Sequence, residues 1–161
     1  MTGEVSLRDV TAADLPILFE HQLDEGANRL AAVSARDRDG FMEHWGRLLT
    51  DESVFKNAVL LDGRLAGHMV CFERSGEREV GYWLGREFWG RGIATGALQQ
   101  LLHLVAERPI FARTATDNIG SIGVLQRCGF KIIGNDKGFA HGRDAEIEEY
   151  ILRLDGERAD G

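Results

Sequence analysis

The segment Tyr82–Thr95, YWLGREFWGRGIAT, indicates most clearly how this chain folds and what it binds. It begins as a short apolar strand and continues, through a turn and Gly-Arg-Gly, into the start of an amphipathic helix. The first N–H groups of a helix lack intrahelical partners, and the helix dipole adds positive potential there. Because Gly90 and Gly92 have no Cβ, a bulky anion can approach their main chain. The segment therefore predicts a phosphate or pyrophosphate site.

Other interpretations of Gly90-x-Gly92 fit the surrounding sequence less well. A dinucleotide-binding fold has a third glycine where this chain has Thr95, and it places an acidic residue at the end of the next strand, which is absent here. A Walker-type loop requires Gly-Lys-Ser or Gly-Lys-Thr, which the chain also lacks. A purely structural role, a tight turn between strand and helix, remains as an alternative for the isolated motif.

Hydrophobic patterning predicts a strand, two helices, three strands, and then helix, strand, helix and two strands. The predicted strands are Val5–Val10, Val54–Leu61, Leu65–Phe72, Glu79–Leu84, Ile110–Ala115, Phe130–Ile133 and Glu146–Leu154. Helices are expected at Thr11–Gln22 and after Asp37, Gly92 and Asp117 or Asn118, with Asp62-Gly63 as a hairpin turn and Gly129 as a helix stop. Residues 23–34 are hard to assign, and residues 134–144 are expected to form a loop. The unit 79–115 predicts a parallel strand pair with a right-handed crossover, and hence a mixed α/β sheet.

Composition fits one α/β domain, assigned to residues 1–155, with a frayed tail at 156–161. The net charge of -7 disfavours nucleic-acid binding and suits a cationic partner such as an amine, although acidity also aids solubility. No apolar run approaches membrane-spanning length, and no signal peptide is indicated. Cys71 and Cys128 lie in apolar segments without metal-ligand spacing. We therefore expect buried reduced thiols, no bound metal, no membrane partner and a cytoplasmic location.

A second motif, Asn118–Phe130 (NIGSIGVLQRCGF), begins a helix directly after the next strand. Asn118 and Ser121 lie one turn apart, so both side chains can face one cleft. Alone, this motif is equally typical of a capped core helix with a glycine stop. Together with Tyr82–Leu84 and Trp89–Thr95, it resembles the general N-acetyltransferase (GNAT) superfamily. The Trp-Gly-Arg-Gly-x-Ala-Thr version is most similar to the branch that includes ribosomal-protein N-terminal acetyltransferases.

The resemblance implies a single-domain GNAT fold, with a mixed, mostly antiparallel sheet, a central splayed parallel strand pair and flanking helices. It also implies acetyl-CoA as the bound cofactor, with the pyrophosphate on the main chain around Gly90–Gly92. A strand N–H near Trp83 or Leu84 is expected to stabilise the thioester oxyanion. The residues expected to bind acetyl-CoA are Trp83, Leu84, Trp89, Gly90, Arg91, Gly92, Ile93, Ala94, Thr95, Asn118 and Ser121.

The chemistry implied by the resemblance is direct attack of an amine on the thioester, without a covalent enzyme intermediate. Many relatives place a tyrosine, which donates a proton to the leaving thiolate, where this chain has Leu125, so Ser121 is expected to be the donor here. Glu79 is the first candidate for the general base, with an exposed strand-end carboxylate as the alternative. His68 is a second candidate for the base, and His44, His103 and His141 have weaker cases.

The departures from the family pattern leave further alternatives open. Besides Leu125, a second departure is Glu87, at a position where the family often has Gln or Arg. We expect the Glu87 carboxylate to point outward. A non-catalytic acyl-CoA-binding protein and a succinyl-CoA-dependent enzyme remain alternatives. The acceptor is expected to be a small-molecule amine or a protein N-terminus, contacted by residues 23–45 and 134–144, which have the variable character of substrate loops. The protein is expected to be a monomer or a homodimer.

Overall fold

The computed structural model describes residues 3–140 and 145–156. Within these residues, one sheet has seven strands in the order β1-β2-β3-β4-β5-β7-β6. The strands are β1 Val5–Asp9, β2 Phe55–Leu61, β3 Arg64–Arg74, β4 Glu77–Leu84, β5 Ile110–Ala115, β6 Lys131–Ala140 and β7 Ala145–Leu154. The helices are α1 Leu15–His21, α2 Glu25–Ala31, α3 Arg38–Thr50, α4 Ile93–Leu104 and α5 Ile119–Arg127, with short 3-10 turns at Ala12–Asp14 and Arg86–Phe88.

The pairing of β4 with β5 sets this sheet apart from an ordinary antiparallel meander. All neighbouring strands are antiparallel except these two, which are parallel. Their register contains only Arg78 opposite Ile110 and Glu79 opposite Phe111, after which the strands separate. The predicted mixed α/β sheet with a splayed parallel pair is therefore confirmed. The separation opens a gap at the carboxyl ends of both strands.

Local sequence signals account for several of the connections. Thr11 and Asp14 form the expected capping box before α1. Asp62 and Gly63 have φ values of 51° and 82°, the left-handed pair that a two-residue hairpin turn requires between β2 and β3. Asn118 caps α5 by accepting a hydrogen bond from the Ser121 N–H at 3.3 Å.

The core consists of two hydrophobic clusters on opposite faces of the sheet, as the alternation of strand side chains requires. On one face, α4 buries Ala97, Leu98 and Leu101 against the central strands. On the other face, α3 buries Phe41 and Trp45 against α1 and β2. No helix within the described residues has the length and apolar character needed to cross a membrane.

The segment 23–34, which the sequence left unassigned, contains the helix α2. Asp24 caps this helix by accepting a hydrogen bond from the Ala27 N–H at 3.0 Å. Asn28 is a weak helix former, but its side-chain amide donates hydrogen bonds to the carbonyls of Gln22 at 2.7 Å and Asp24 at 3.0 Å. These local contacts, together with the hydrogen bond that the Asn118 amide donates to the Leu30 carbonyl, stabilise a helix that propensity alone does not predict.

The loop expected at residues 134–144 is wrong for residues 134–140, which continue β6 to Ala140. Pairing with β7 from Lys131–Arg153 to Ala140–Ala145 supplies main-chain hydrogen bonds along this polar stretch. Cross-strand pairing outweighs the low strand propensity of Gly134-Asn135-Asp136. Residues 141–144 of the expected loop, and residues 157–161 of the expected tail, lie outside the described residues.

Candidate active site

A cavity of about 550 Å³ occupies the gap between β4 and β5. Its walls are the final residues of the two strands, the start of α4, the start of α5 and one face of α2. The parted strands expose Val80–Leu84 on one side and Ala112–Ala115 on the other. A long, narrow ligand can therefore lie between the strands and contact the main chain of both.

The turn that joins β4 to α4 presents unpaired main-chain donors beside this cavity. Within the described part of the chain, the N–H groups from Gly90 to Thr95 donate no hydrogen bond, and the first intrahelical bond of α4 runs from Gly96 to Gly92 at 3.1 Å. Gly90 and Gly92 have φ values of 75° and 76°. A Cβ added to either glycine would meet no protein atom within 4 Å. Unpaired N–H groups with open space beside them suit an anion such as a diphosphate.

Side chains around the turn fix its position. Trp89 lines the cavity and donates its indole N–H to the Leu84 carbonyl at 3.1 Å. Arg86 lies over the Trp89 ring, 4.3 Å from its centroid, and forms two hydrogen bonds of 2.7 Å with the carboxylate of Asp24. The Arg86 guanidinium holds the pKa of Asp24 well below its usual range. Arg86 therefore joins the turn to α2.

Glu87, the acidic departure from the family pattern, lies away from the cavity. Its carboxylate is exposed and accepts a hydrogen bond from Arg64 at 3.0 Å. The expectation that this side chain points outward is confirmed. Glu87 therefore adds no carboxylate to the lining of the cavity.

Helix α2 closes one side of the cavity. Ala27, Leu30 and Ala31 line it, and the Asn118 amide donates to the Leu30 carbonyl at 3.4 Å. Asn118 thus connects the start of α5 to α2, while Arg86 and Asp24 connect the other end of α2 to the turn that joins β4 to α4. The sequence indicated Asn118 but gave no sign of the α2 contacts.

Two hydroxyl groups meet within the cavity wall. The Ser121 Oγ on α5 lies 3.0 Å from the Tyr82 hydroxyl on β4. Burial raises the pKa of Tyr82 to about 12, opposed by the hydrogen bond with Ser121, so the phenol keeps its proton at neutral pH. The pair can therefore donate a proton to a group between the strands through either oxygen. The sequence analysis proposed Ser121 as a proton donor but did not identify Tyr82. The available signal was the alternation of strand residues, which places Tyr82 on the same face of β4 as Val80 and Leu84.

The main chain of β4 offers one more donor at the gap. Gly85 donates its main-chain N–H to the Ala66 carbonyl of β3 at 2.9 Å. Because N–H groups alternate in direction along a strand, the N–H of Trp83, two residues earlier, also points toward β3. Leu84, between them, faces the other way, and its carbonyl accepts the Trp89 indole. The resemblance suggested Trp83 or Leu84 as the donor, and of these two the Leu84 N–H points into the gap.

The structure brings most of the predicted acetyl-CoA residues to one cavity and leaves others at its edge. Those that line the cavity are Trp83, Leu84, Trp89, Gly90, Ala94, Asn118 and Ser121. Arg91 and Gly92 are exposed in the turn, and the Ile93 side chain is buried in the core, so Gly92 and Ile93 can contribute only their main chains. The Thr95 hydroxyl accepts a hydrogen bond from Arg127 at 3.3 Å.

Glu79, the predicted base, lies outside the residues that line this cavity. It belongs to the part of β4 that still pairs with β5, opposite Phe111. Its carboxylate accepts a hydrogen bond from Arg74 at 3.2 Å, and its side chain is 12% exposed. Burial raises the pKa of Glu79, although Arg74 acts in the opposite direction. Its catalytic role stays a prediction.

A second cavity, of about 720 Å³, lies on the face of the sheet that packs against α1 and α3. Trp83 lines both cavities, with its indole N–H donated to the His21 carbonyl at 3.1 Å. His68, directly opposite Trp83 on β3, also lines it and packs edge-to-face on Trp45 at 5.0 Å. Burial lowers the pKa of His68 to about 4, with smaller effects from His21 and His44. The imidazole is therefore neutral at physiological pH.

Comparison with known proteins gives the class of enzyme to which this fold belongs. The family described as "Acetyltransferase (GNAT) domain" matches residues 4–131. The chain therefore belongs to the GNAT acetyltransferase family and is an acyltransferase. The superfamily that the motifs predicted is confirmed.

Individual relatives agree with this assignment. The provisionally named ribosomal N-acetyltransferase YdaF of Bacillus subtilis (strain 168) is 31% identical over 125 residues, which cover 71% of this chain and 68% of the relative. A GNAT-family acetyltransferase structure from Bacillus anthracis superposes with a TM-score of 0.81 at 18% identity over 96% of each chain. A spermidine N-acetyltransferase from Vibrio cholerae, solved with CoA and spermine, has a TM-score of 0.79 at 17% identity over 93% of this chain and 95% of that one.

The neutral His68 predicts a pH dependence of stability. Its folded-state pKa of about 4 lies below the ordinary value of 6.5, so the unfolded chain binds a proton that the folded chain does not bind. The contribution of the neutral His68 to the free energy of unfolding is complete above pH 6.5, and it is lost as the pH falls toward 4. Between these limits, wild type should lose roughly 2–3 kcal/mol more unfolding free energy than His68→Gln.

Urea unfolding of both proteins at several pH values measures this difference. The pKa values of His21 and His44 are also lowered by burial, and both groups remain in each protein, so their effects cancel in the comparison. Parallel stability curves for wild type and His68→Gln across this pH range would show that the imidazole titrates normally in the folded state.

Proposed function

We propose that this acyltransferase moves an acetyl group from acetyl-CoA to a primary amine by direct attack within a ternary complex. The observation that carries the proposal is the set of unpaired N–H groups from Gly90 to Thr95 beside the cavity between the parted strands. These groups suit the diphosphate of coenzyme A. GNAT-fold structures solved with CoA, such as the spermidine N-acetyltransferase of Vibrio cholerae, support the donor assignment.

In this proposal, the chain holds the donor mainly with its main chain. Gly90, Gly92, Ile93 and Ala94 donate N–H groups to the diphosphate, and the exposed Arg91 guanidinium adds a charge-assisted contact. The acyl-bearing arm extends between β4 and β5, where one edge of β4 has no strand partner after Glu79. The Leu84 N–H then points toward the thioester carbonyl oxygen and stabilises the charge that develops there.

Ser121 and Tyr82 are proposed to protonate the leaving thiolate. Their hydroxyl oxygens lie 3.0 Å apart within the donor cavity, so a proton that leaves one oxygen can be replaced from the other. Leu125, where many relatives have a tyrosine, is 1% exposed and has no donor group. The function of that missing tyrosine is therefore assigned to Ser121, assisted by Tyr82.

The acceptor amine is proposed to bind in the second cavity and to reach the thioester beside Trp83, which borders both cavities. Two groups are proposed as the proton acceptor. Glu79 remains the first, acting through a water chain from its position outside the donor cavity. His68 is the second, because it is neutral and lines the acceptor cavity. Of the weaker candidates, His44 lines the same cavity, and His141 lies outside the described residues.

The relatives suggest two kinds of acceptor. YdaF carries the name of a ribosomal N-acetyltransferase, and the Vibrio cholerae structure is a spermidine enzyme. A protein N-terminus and a small-molecule amine are both primary amines, so either suits direct attack. We further propose that the protein functions in the cytoplasm as a monomer or homodimer, and size-exclusion chromatography with light scattering tests the oligomeric state.

Substitution of Gly90 tests the diphosphate site. A Gly90→Val side chain would project into open space beside the cavity and shield the neighbouring N–H groups, so CoA affinity should fall about tenfold or more by calorimetry. Gly76→Val is the matched control, since Gly76 has a φ of 83°, is equally open and lies in a hairpin turn away from the cavity. Equal losses of CoA affinity in the two variants would contradict the assignment.

Substitution of the hydroxyl pair tests the thiolate donor. Ser121→Ala should lower kcat on the order of 10²-fold with little change in CoA affinity, because the hydroxyl acts on the leaving group. Tyr82→Phe should give a smaller loss, and the double variant should lose less than the product of the two single effects. An unchanged kcat in Ser121→Ala would remove this residue from the mechanism.

The pH dependence of kcat/KM distinguishes the two proposed bases. If Glu79 accepts the proton, Glu79→Gln should abolish the acidic limb of the profile and lower the rate, roughly 10²-fold, while His68→Gln keeps the limb. The reverse result would assign the proton to His68. Unchanged profiles in both variants would show that neither group is the base.

A further inference from the structure

The second cavity has an apolar and aromatic body. Phe41, Trp45, Val70 and Trp83 contribute to its walls. Its volume of about 720 Å³ is in the range that encloses a drug-sized molecule. An acceptor that enters this cavity must therefore bury a substantial apolar group, because polar groups without partners would lose their hydration against these rings.

The polar part of the lining is basic or neutral. Its described polar residues are Gln22, Ser34, Arg36, His44 and His68, and none of the described lining residues is Asp or Glu. The neutral His68 supplies no negative charge. Burial lowers the pKa of His44, and the nearby Arg36 and Arg47 lower it further.

Arg36 is placed to receive an anion. Its side chain is exposed at the mouth of the cavity and forms no ion pair among the described residues. The Arg36 carbonyl accepts a hydrogen bond from the Gln22 side chain at 3.1 Å, which ties this position to the end of α1. The hydrogen bond fixes the main chain of Arg36, and the exposed guanidinium can bind a carboxylate of an acceptor through two hydrogen bonds.

The same lining disfavours a polycation. A polyamine carries several ammonium groups, and each one that leaves water needs an anionic or strongly polar partner. The described lining offers no carboxylate, and Arg36 would repel the additional charges. The acceptor amine itself avoids this cost, because it must be neutral when it attacks.

We infer that the acceptor is a primary amine on an apolar or aromatic body that also carries a carboxylate or similar anion, bound by Arg36, and that it is not a polyamine. This inference rests on the proposed function, because it assigns the second cavity to the acceptor. It names the class of substrate that the same site selects. Arg36 is a specificity-determining residue in this assignment and takes no part in the proton transfers.

Matched amine pairs test the inference. L-Phenylalanine and 4-(aminomethyl)benzoate carry the anion, phenethylamine and benzylamine are their carboxyl-free counterparts, and spermidine is the polycation. Quenching of tryptophan fluorescence measures binding to CoA-saturated protein, since Trp45 and Trp83 line the cavity. Release of CoA from acetyl-CoA measures turnover with each amine.

At least one carboxylated amine should bind about tenfold more tightly than its counterpart, the size expected for one charge-assisted contact. In Arg36→Gln, the ratio of the two dissociation constants, carboxyl-free amine over carboxylated amine, should fall close to one. Arg38→Gln is the matched control, because Arg38 packs over the Phe19 ring at 5.7 Å and does not line the cavity. In Arg38→Gln the preference for the carboxylated amine should remain.

The readouts separate failure of the inference from failure of the proposed function. Tighter binding or faster acetylation of spermidine than of the carboxylated amines would overturn the inference and leave amine acetylation intact. The inference would also be overturned if Arg36→Gln left the affinity preference for the carboxylated amine unchanged, or if no carboxylated amine bound. Selective binding of the carboxylated amines without CoA release would support the inference and contradict the proposed acetyl transfer.

Discussion

The separation of β4 from β5 after Glu79 is the constraint on which the candidate active site depends. An unpaired strand edge leaves main-chain donors and acceptors that must find other partners. The start of α4 adds a second set of unpaired donors, from Gly90 to Thr95, at the same cavity. Both sets suit a ligand with an anionic head and a narrow arm, which is the shape proposed for the donor. Because these contacts use the main chain, they tolerate side-chain changes such as Glu87.

Side-chain contacts maintain this open arrangement. The ion pair of Arg86 with Asp24 joins the turn between β4 and α4 to α2, and Asn118 joins α2 to α5. The Trp89 indole bonds to the Leu84 carbonyl and fixes the exit from β4. Each contact links two elements that border the cavity. These contacts hold the walls in position, which reduces the ordering that ligand binding requires.

The sequence predicted the parts of the site that depend on local backbone chemistry. Gly90, Gly92 and the Asn118 cap have short-range signals, and they lie where those signals indicate. The phenol of Tyr82 and the surroundings of Glu79 depend on which strands neighbour each other, which no short motif specifies. The helix α2 and the extension of β6 to Ala140 depend on tertiary pairing that outweighs propensity. The second cavity combines Gln22, residues 32–36, and parts of α3, β3, β4 and β6, so it is visible only in the fold.

The central claim is that the main chain of the turn binds the diphosphate of coenzyme A. Titration of ¹⁵N-labelled protein with CoA, followed by amide NMR spectra, tests it most directly. The amide signals of Gly90 to Thr95 should show the largest downfield shifts, because their N–H groups gain charge-assisted acceptors. The amide of Gly76, in a distant hairpin, should not move. Binding of CoA that leaves the signals of residues 90–95 unchanged would contradict the account.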